Sequence, residues 1–169
     1  MNKLEIFFDY ICPHCLRGHE NIMELAPQYP DLIIDWHPCE AHPRPEKRSN
    51  HSDLCARGML FALEKGADIL EYHSRMYHAA LSDRADIEDI DVIIEITKGL
   101  LDSNELHEVL SGDKYEDLLL ENNRLVWDEY ECPAIPSYRM NGELLKSQLG
   151  AGVSKAELEV FLSRHYKVG

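Results

Sequence analysis

An α/β fold is the first expectation, and three observations carry it. A short apolar run, Leu4–Phe8, leads into an amphipathic stretch and then a second β-branched run, Leu32–Trp36. The C-terminal part returns to β character, with Asn141-Gly142 set between two short strand-like segments. Between these ends, across 50–126, proline is absent and helical periodicity takes over. The order is therefore βαβ, an all-helical insertion, then ββα.

Leu4 to Tyr10 reads as a buried strand, apolar with aromatics. A helix is predicted from Pro13 to Ala26, because proline suits a first helical position whose N–H is unpaired anyway. Pro27 and Pro30 end it. Leu32–Trp36 is the second strand, and a strand–helix–strand unit of this length calls for parallel pairing with a right-handed crossover. Helices are predicted at 53–65, 68–81, 86–100, 103–110 and 113–128. Asp113 to Glu116 has the spacing of a capping box. Ile87, Ile90, Ile93, Ile94 and Ile96 read as a core stripe. Ser137–Met140 and Leu144–Ser147 pair through the Asn141-Gly142 turn, a strong hairpin signal. Ser154 to Glu157 is a second capping box, opening a last helix. Neither β-containing end has enough strands alone, so both must share one sheet.

Cys12-Pro13-His14-Cys15 carries the chemistry. Two cysteines two residues apart, between a strand and a helix, make a reactive dithiol. The first sits where free N–H groups and the helix dipole favour a thiolate, which is the form that attacks disulfides. A structural zinc site would need a second such pair, and the chain has none. Cys12 is the expected nucleophile and Cys15, one turn further in, the resolving thiol. Pro13 and His14 are expected to tune the pair. His14 stabilises a neighbouring thiolate, or is a solvated helix residue of little effect. Asp9, three residues before Cys12, is a further ionisable group near this turn.

The arrangement resembles the DsbA-like branch of the thioredoxin superfamily. The tetrad is the one associated with DsbA. Phe8-Asp9-Tyr10-Ile11, Trp36–Pro43 and Ser147–Ala151 are more similar to cytoplasmic FrnE-type members. The resemblance implies a thioredoxin-like domain made of 1–49 and 127–169, with 50–126 as a helical insertion subdomain. It also implies a cis-proline at Ile135-Pro136, beside the CxxC, where backbone of the preceding residue holds substrate as an added strand. Cys132-Pro133 is the competing position. The implied activity is thiol:disulfide exchange with protein or small-molecule thiols, glutathione among them, by a relatively oxidising pair. The dithiol itself is the redox centre, so no cofactor is expected.

Two rivals stand beside this reading. One is a glutathione-binding transferase or isomerase of the kappa or 2-hydroxychromene-2-carboxylate type, whose relatives show serine where Cys12 stands. The other is a non-catalytic metal- or peptide-binding module. His37, Cys39, His42 and His51 have metal-ligand residue types, but their spacing is irregular, and no metal is expected. Cys39 reads as semi-buried and Cys55 as structural. Cys132 is a small buried hydrophobe, or an extra resolving thiol or metal ligand. Tyr72, His73, Tyr77 and His78 either line a groove or cap the core.

With 31 acidic against 17 basic residues the formal charge is −14, which argues against nucleic acid and anionic membrane surfaces as partners. No apolar run approaches a membrane span, and no secretory leader is visible. Five cysteines, an odd and scattered set, suit a reducing compartment. A cytoplasmic location is the resulting expectation.

Overall fold

The structure, a computed structural model, describes residues 1–47 and 50–169. Four strands, β1 (Asn2–Phe8), β2 (Leu32–Pro38), β3 (Ser137–Met140) and β4 (Glu143–Leu145), form one sheet in the order β2-β1-β3-β4. β1 and β2 run parallel, joined by α1 (Pro13–Leu25), while β3 pairs antiparallel with β1 and β4. The central position of β1 explains its composition: Leu4, Ile6, Phe7 and Phe8 are buried, on both faces. Asn141 and Gly142 both take positive φ, at 53° and 86°, as a tight turn between β3 and β4 requires. The Ser154 capping box opens α7 (Lys155–His165), its hydroxyl accepting from the Glu157 N–H and the Glu157 carboxylate accepting from the Ser154 N–H.

Five helices lie between the two β-containing ends: α2 (Asp53–Glu64), α3 (Ile69–Tyr77), α4 (Ile90–Ile96), α5 (Ser103–Ser111) and α6 (Glu116–Asn123). Several are shorter than their periodicity predicts. α3 and α6 each pass into a wider π-helical turn, His78–Ser82 and Arg124–Glu129, which an apolar stripe does not distinguish from continued α-helix. α4 starts late because the Asp89 carboxylate caps it, accepting from the Asp91 N–H.

The expected capping box at Asp113 is not formed. Tyr115, at φ 70°, precedes α6 instead, with no side-chain cap. The cause is the buried Arg57 guanidinium, which donates to the carbonyls of Val109, Gly112 and Lys114 and bends the connection around itself. β4 ends at Leu145, short of the predicted Ser147. The Ser147 hydroxyl donates to the Pro136 carbonyl and its N–H to Ser137 Oγ, which pulls the chain out of the ladder.

One core runs through the whole chain. Leu4, Ile22 and Leu162 from the sheet end share it with Met59, Met76 and Ile93 from the helical end. Of the isoleucine stripe, Ile87 and Ile93 are fully enclosed and the other three pack partly against the same core. α6 and the turn after it also hold the segment that follows β2. Asn122 donates to the Pro38 carbonyl, Asn123 accepts from the Glu40 N–H, and the Trp127 indole donates to the Glu40 carbonyl.

Candidate functional site: a dithiol at the start of the first helix

The strand ends at Phe8 rather than Tyr10 because Asp9 turns the chain. Its carboxylate accepts from the Ile11 N–H at 3.1 Å, and its carbonyl accepts from the Cys12 N–H at 3.2 Å. The second carboxylate oxygen accepts from the Ala41 N–H at 2.8 Å. Asp9 therefore ties the turn before the tetrad to the loop after β2. Burial pushes its carboxyl above the usual carboxylate range, against those donors.

This turn delivers Cys12 to the N-cap of α1. Its sulfur accepts from the Cys15 N–H at 3.3 Å and lies 3.6 Å from the Ile135 carbonyl, to which the thiol donates. Pro13 occupies the first helical position. The contact with Cys15 holds the Cys12 thiol below its ordinary value, and burial opposes it. Cys15 is 1% exposed, and burial pushes its thiol well up, with Cys12 adding to the effect. The two sulfurs thus differ in the way a nucleophile and a resolving thiol differ: one reachable and acidified, the other enclosed and protonated.

The Ile135–Pro136 peptide bond is cis, as is Arg44–Pro45, and Cys132–Pro133 is not among the cis bonds. Pro136 packs over the first helical turns. A Cβ placed on Gly18 would meet Pro136 Cγ at 2.9 Å and the Tyr138 hydroxyl at 2.5 Å, so a side chain at residue 18 would push strand and helix apart. On the other flank the His14 ring rests against Gly152, where a Cβ would lie 3.1 Å from Nδ1.

A family model described as the DSBA-like thioredoxin domain matches residues 3–157. The chain belongs to this family. A Bacillus subtilis relative, the uncharacterized protein YwbO, is 21% identical over 188 aligned residues, covering 89% of this chain and 92% of that one. Among solved structures, a probable DsbA oxidoreductase from Streptomyces coelicolor superposes with a TM-score of 0.82 at 13% identity, over 100% of this chain and 92% of that one. A thioredoxin-like oxidoreductase from Silicibacter pomeroyi gives 0.70 at 18% identity, over 99% and 87%. DsbA of Chlamydia trachomatis gives 0.72 at 12%, over 96% and 85%. These likenesses describe the fold. Family membership makes the chain a DsbA-like oxidoreductase. Among the described residues no helix is long and apolar enough to cross a membrane.

The remaining candidates of this DsbA-like chain are dispersed. Cys39, expected to be semi-buried, is fully enclosed at 1% exposure, its thiol donating to the Phe8 carbonyl. Cys55 and Cys132 are also buried. The histidines and cysteine of the loose 37–51 set do not converge. His42 pairs with Glu46 and His51 with Glu88. His37 is engaged elsewhere, with Nδ1 3.0 Å from Asn122 Oδ1 and Nε2 3.0 Å from Asp35 and 3.7 Å from Glu5. Lys3 and Arg139 balance those two carboxylates, giving an ion-pair network on the sheet. Tyr72, His73 and Tyr77 are core residues, and only His78 reaches solvent. His73 Nδ1 is 2.8 Å from the Tyr10 hydroxyl, a direct link between the turn before the tetrad and α3 that no spacing rule foretold.

Proposed function

We propose that this chain is a thiol:disulfide oxidoreductase whose redox centre is the Cys12/Cys15 pair. The carrying observation is the capped sulfur: Cys12 accepts from the Cys15 N–H at the start of α1, while Cys15 is buried behind it. Cys12 thiolate attacks one sulfur of a substrate disulfide, forming a mixed disulfide and releasing the other substrate thiolate. Cys15 then loses its proton and attacks the Cys12 sulfur, releasing the second thiol. The protein dithiol is oxidised to a disulfide and the substrate disulfide is reduced; the reverse sequence oxidises a substrate dithiol.

Pro13 and His14 tune the pair from the first turn of the helix. Ile135 and Pro136 supply the backbone against which substrate is held, a role supported by the Ile135 carbonyl lying next to Cys12 Sγ. Substrates are protein or small-molecule thiols and disulfides, glutathione included. The helical insertion, 50–126, forms the wall opposite the tetrad within the thioredoxin-like frame of 1–49 and 127–169. Three buried thiols outside the pair suit a reducing compartment, which supports a cytoplasmic setting, as do the FrnE-like segments around the tetrad.

A redox titration tests the reading. The chain is equilibrated across a glutathione series, trapped by alkylation and weighed, with Cys12→Ala beside it. A two-electron transition with a midpoint in the range of about −120 to −270 mV, lost in the variant, is the expected result. A pair that never titrates would leave the oxidoreductase function without a centre.

A further inference from the structure

Two grooves flank Pro13, one on each side of the reactive turn. The first, with a volume of about 510 Å³, runs from Ile11, Cys12 and Pro13 to Ala80, Leu81 and Arg84. The second, about 470 Å³, lies between Pro13, His14 and Arg17 on α1 and Val153, Ser154 and Lys155. Among the described residues, neither wall contains an aspartate or glutamate, although 31 of the 169 residues are acidic. Hollows elsewhere on the surface do carry them: Glu105 and Glu108 on α5, Glu143 and Glu157 beside α7, Asp31 near the N-terminus.

Each groove also has an exposed arginine that is not tied up. Among the described residues, neither Arg17 nor Arg84 has an ion-pair partner, whereas Lys155 is paired with Glu24, His42 with Glu46 and Arg44 with Glu88. The acids closest to Arg84 in sequence are engaged elsewhere: Asp83 with His78, Asp86 with the Glu88 N–H. The π-helical turn His78–Ser82 closes with the Asp83 N–H on the His78 carbonyl, and Arg84 follows at φ 51°, a left-handed conformation uncommon outside glycine.

Resting on the dithiol reading above, we propose that the substrates of Cys12 are cysteinyl peptides with carboxylates flanking the sulfur, held by Arg17 on one side and Arg84 on the other. The net charge of the chain repels such substrates at long range. At physiological ionic strength the screening length is about 8 Å, so the charges lining the grooves decide the local encounter. Two sources share this chemistry, an acidic segment of a protein and glutathione.

The test uses peptides that each contain one intramolecular disulfide in an identical ring, flanked by Asp/Glu, by Ser or by Lys. Reduced full-length protein is mixed with each at about 0.15 M salt, and single-turnover rates are followed. The protein dithiol is oxidised as the peptide disulfide is reduced, so no other reductant enters. The acidic peptide is expected to react roughly three- to tenfold faster than the Ser peptide, the scale of two exposed ion pairs, with the Lys peptide slowest. That ratio should collapse in the R17Q/R84Q double variant and survive in K65Q, a lysine paired with Glu105 away from both grooves. A Lys peptide as fast as the acidic one, or a ratio unchanged in R17Q/R84Q, overturns the proposal. Exchange with none of the three sinks the dithiol reading and this proposal together, an outcome the Ser peptide separates from a mere loss of charge preference. Glutathione disulfide is run alongside: arginine dependence there supports the small-thiol source, and dependence with peptides alone supports the acidic protein segment.

Discussion

The strands of the sheet half are joined by backbone ladders, while the connections between helices in the insertion are shaped by buried polar side chains. β1 and β2 pair along their full length, and caps at Cys12 and Ser154 start the helices that pack on the sheet. In the insertion, Arg57 gathers three carbonyls, His73 is enclosed against the Tyr10 hydroxyl, and Asn122 is enclosed between His37 and the Pro38 carbonyl. Both halves feed one core, so they differ in what breaks them rather than in whether they fold alone. The insertion is exposed to loss of a donor or gain of a proton. The sheet half is exposed to changes of shape.

Four experiments press on that contrast. The largest effect is expected from Arg57→Met, which leaves the carbonyls of Val109, Gly112 and Lys114 without their donor. A loss of about 3–5 kcal/mol is expected in urea melts. Because the core is shared, the sheet should melt in the same transition. A separate early transition of the insertion would dissolve the comparison into two independent domains.

Acid comes next. Burial pushes His73 down to about 3, against an unfolded value of about 6.5. Between those values the unfolded chain binds a proton that the folded chain refuses. This contribution is complete above pH 6.5 and is lost as pH falls toward 3, at up to about 1.4 kcal/mol per unit. Unfolding free energies from pH 7 to 4.5 should therefore drop more steeply in wild type than in His73→Gln, by about 2–3 kcal/mol over that range. Equal slopes would mean that His73 accepts its proton in the folded state.

Gly18→Ala addresses the sheet half. Its Cβ would crowd the Tyr138 hydroxyl and Pro136, and a loss of about 1–3 kcal/mol is expected, with the Cys12 alkylation rate changed as the proline loop shifts. An unchanged alkylation rate would separate packing at residue 18 from the geometry of the dithiol. The smallest effect is Ser154→Ala, at about 1 kcal/mol, read as a lower midpoint of thermal unfolding. A loss as large as that of Arg57→Met would show that caps in the sheet half carry more than one helix end.

Legibility followed the same division. The tetrad, the parallel β1–β2 pair, the Asn141-Gly142 turn and the Ser154 capping box were all readable, because each is a local rule about a few neighbouring residues. The insertion was readable as helix but not in its ends. Tyr115 takes the place expected of an Asp113 box because Arg57, nearly sixty residues away, claims the intervening carbonyls. The π-helical turns at His78–Ser82 and Arg124–Glu129 satisfy nearly the same apolar stripe as α-helix, so periodicity passes over them. Cys39 lies deeper than the semi-buried position its sequence neighbours predict, since its burial comes from the partners around the loop after β2 and not from its neighbours in the chain.

The sequence by itself determined the local frame of the proposed dithiol: two cysteines at helix spacing after a strand, with a proline between them that begins the helix. These are properties of adjacent residues, and backbone geometry translates them directly into a capped sulfur. Only the tertiary structure decided what surrounds that sulfur. Asp9 reaching Ala41, Tyr10 meeting His73, Ile135 lying beside Cys12, Arg84 standing beside Pro13 and Arg17 facing Lys155 all join segments distant in the chain. Charge counted over the whole sequence is −14, yet the packing that sets Ile11–Pro13 beside Ala80, Leu81 and Arg84, and His14 and Arg17 beside Val153–Lys155, leaves two grooves with no acid among the described residues of their walls. Such an arrangement is set by which side chains the shared core draws inward, and no count along the chain contains it.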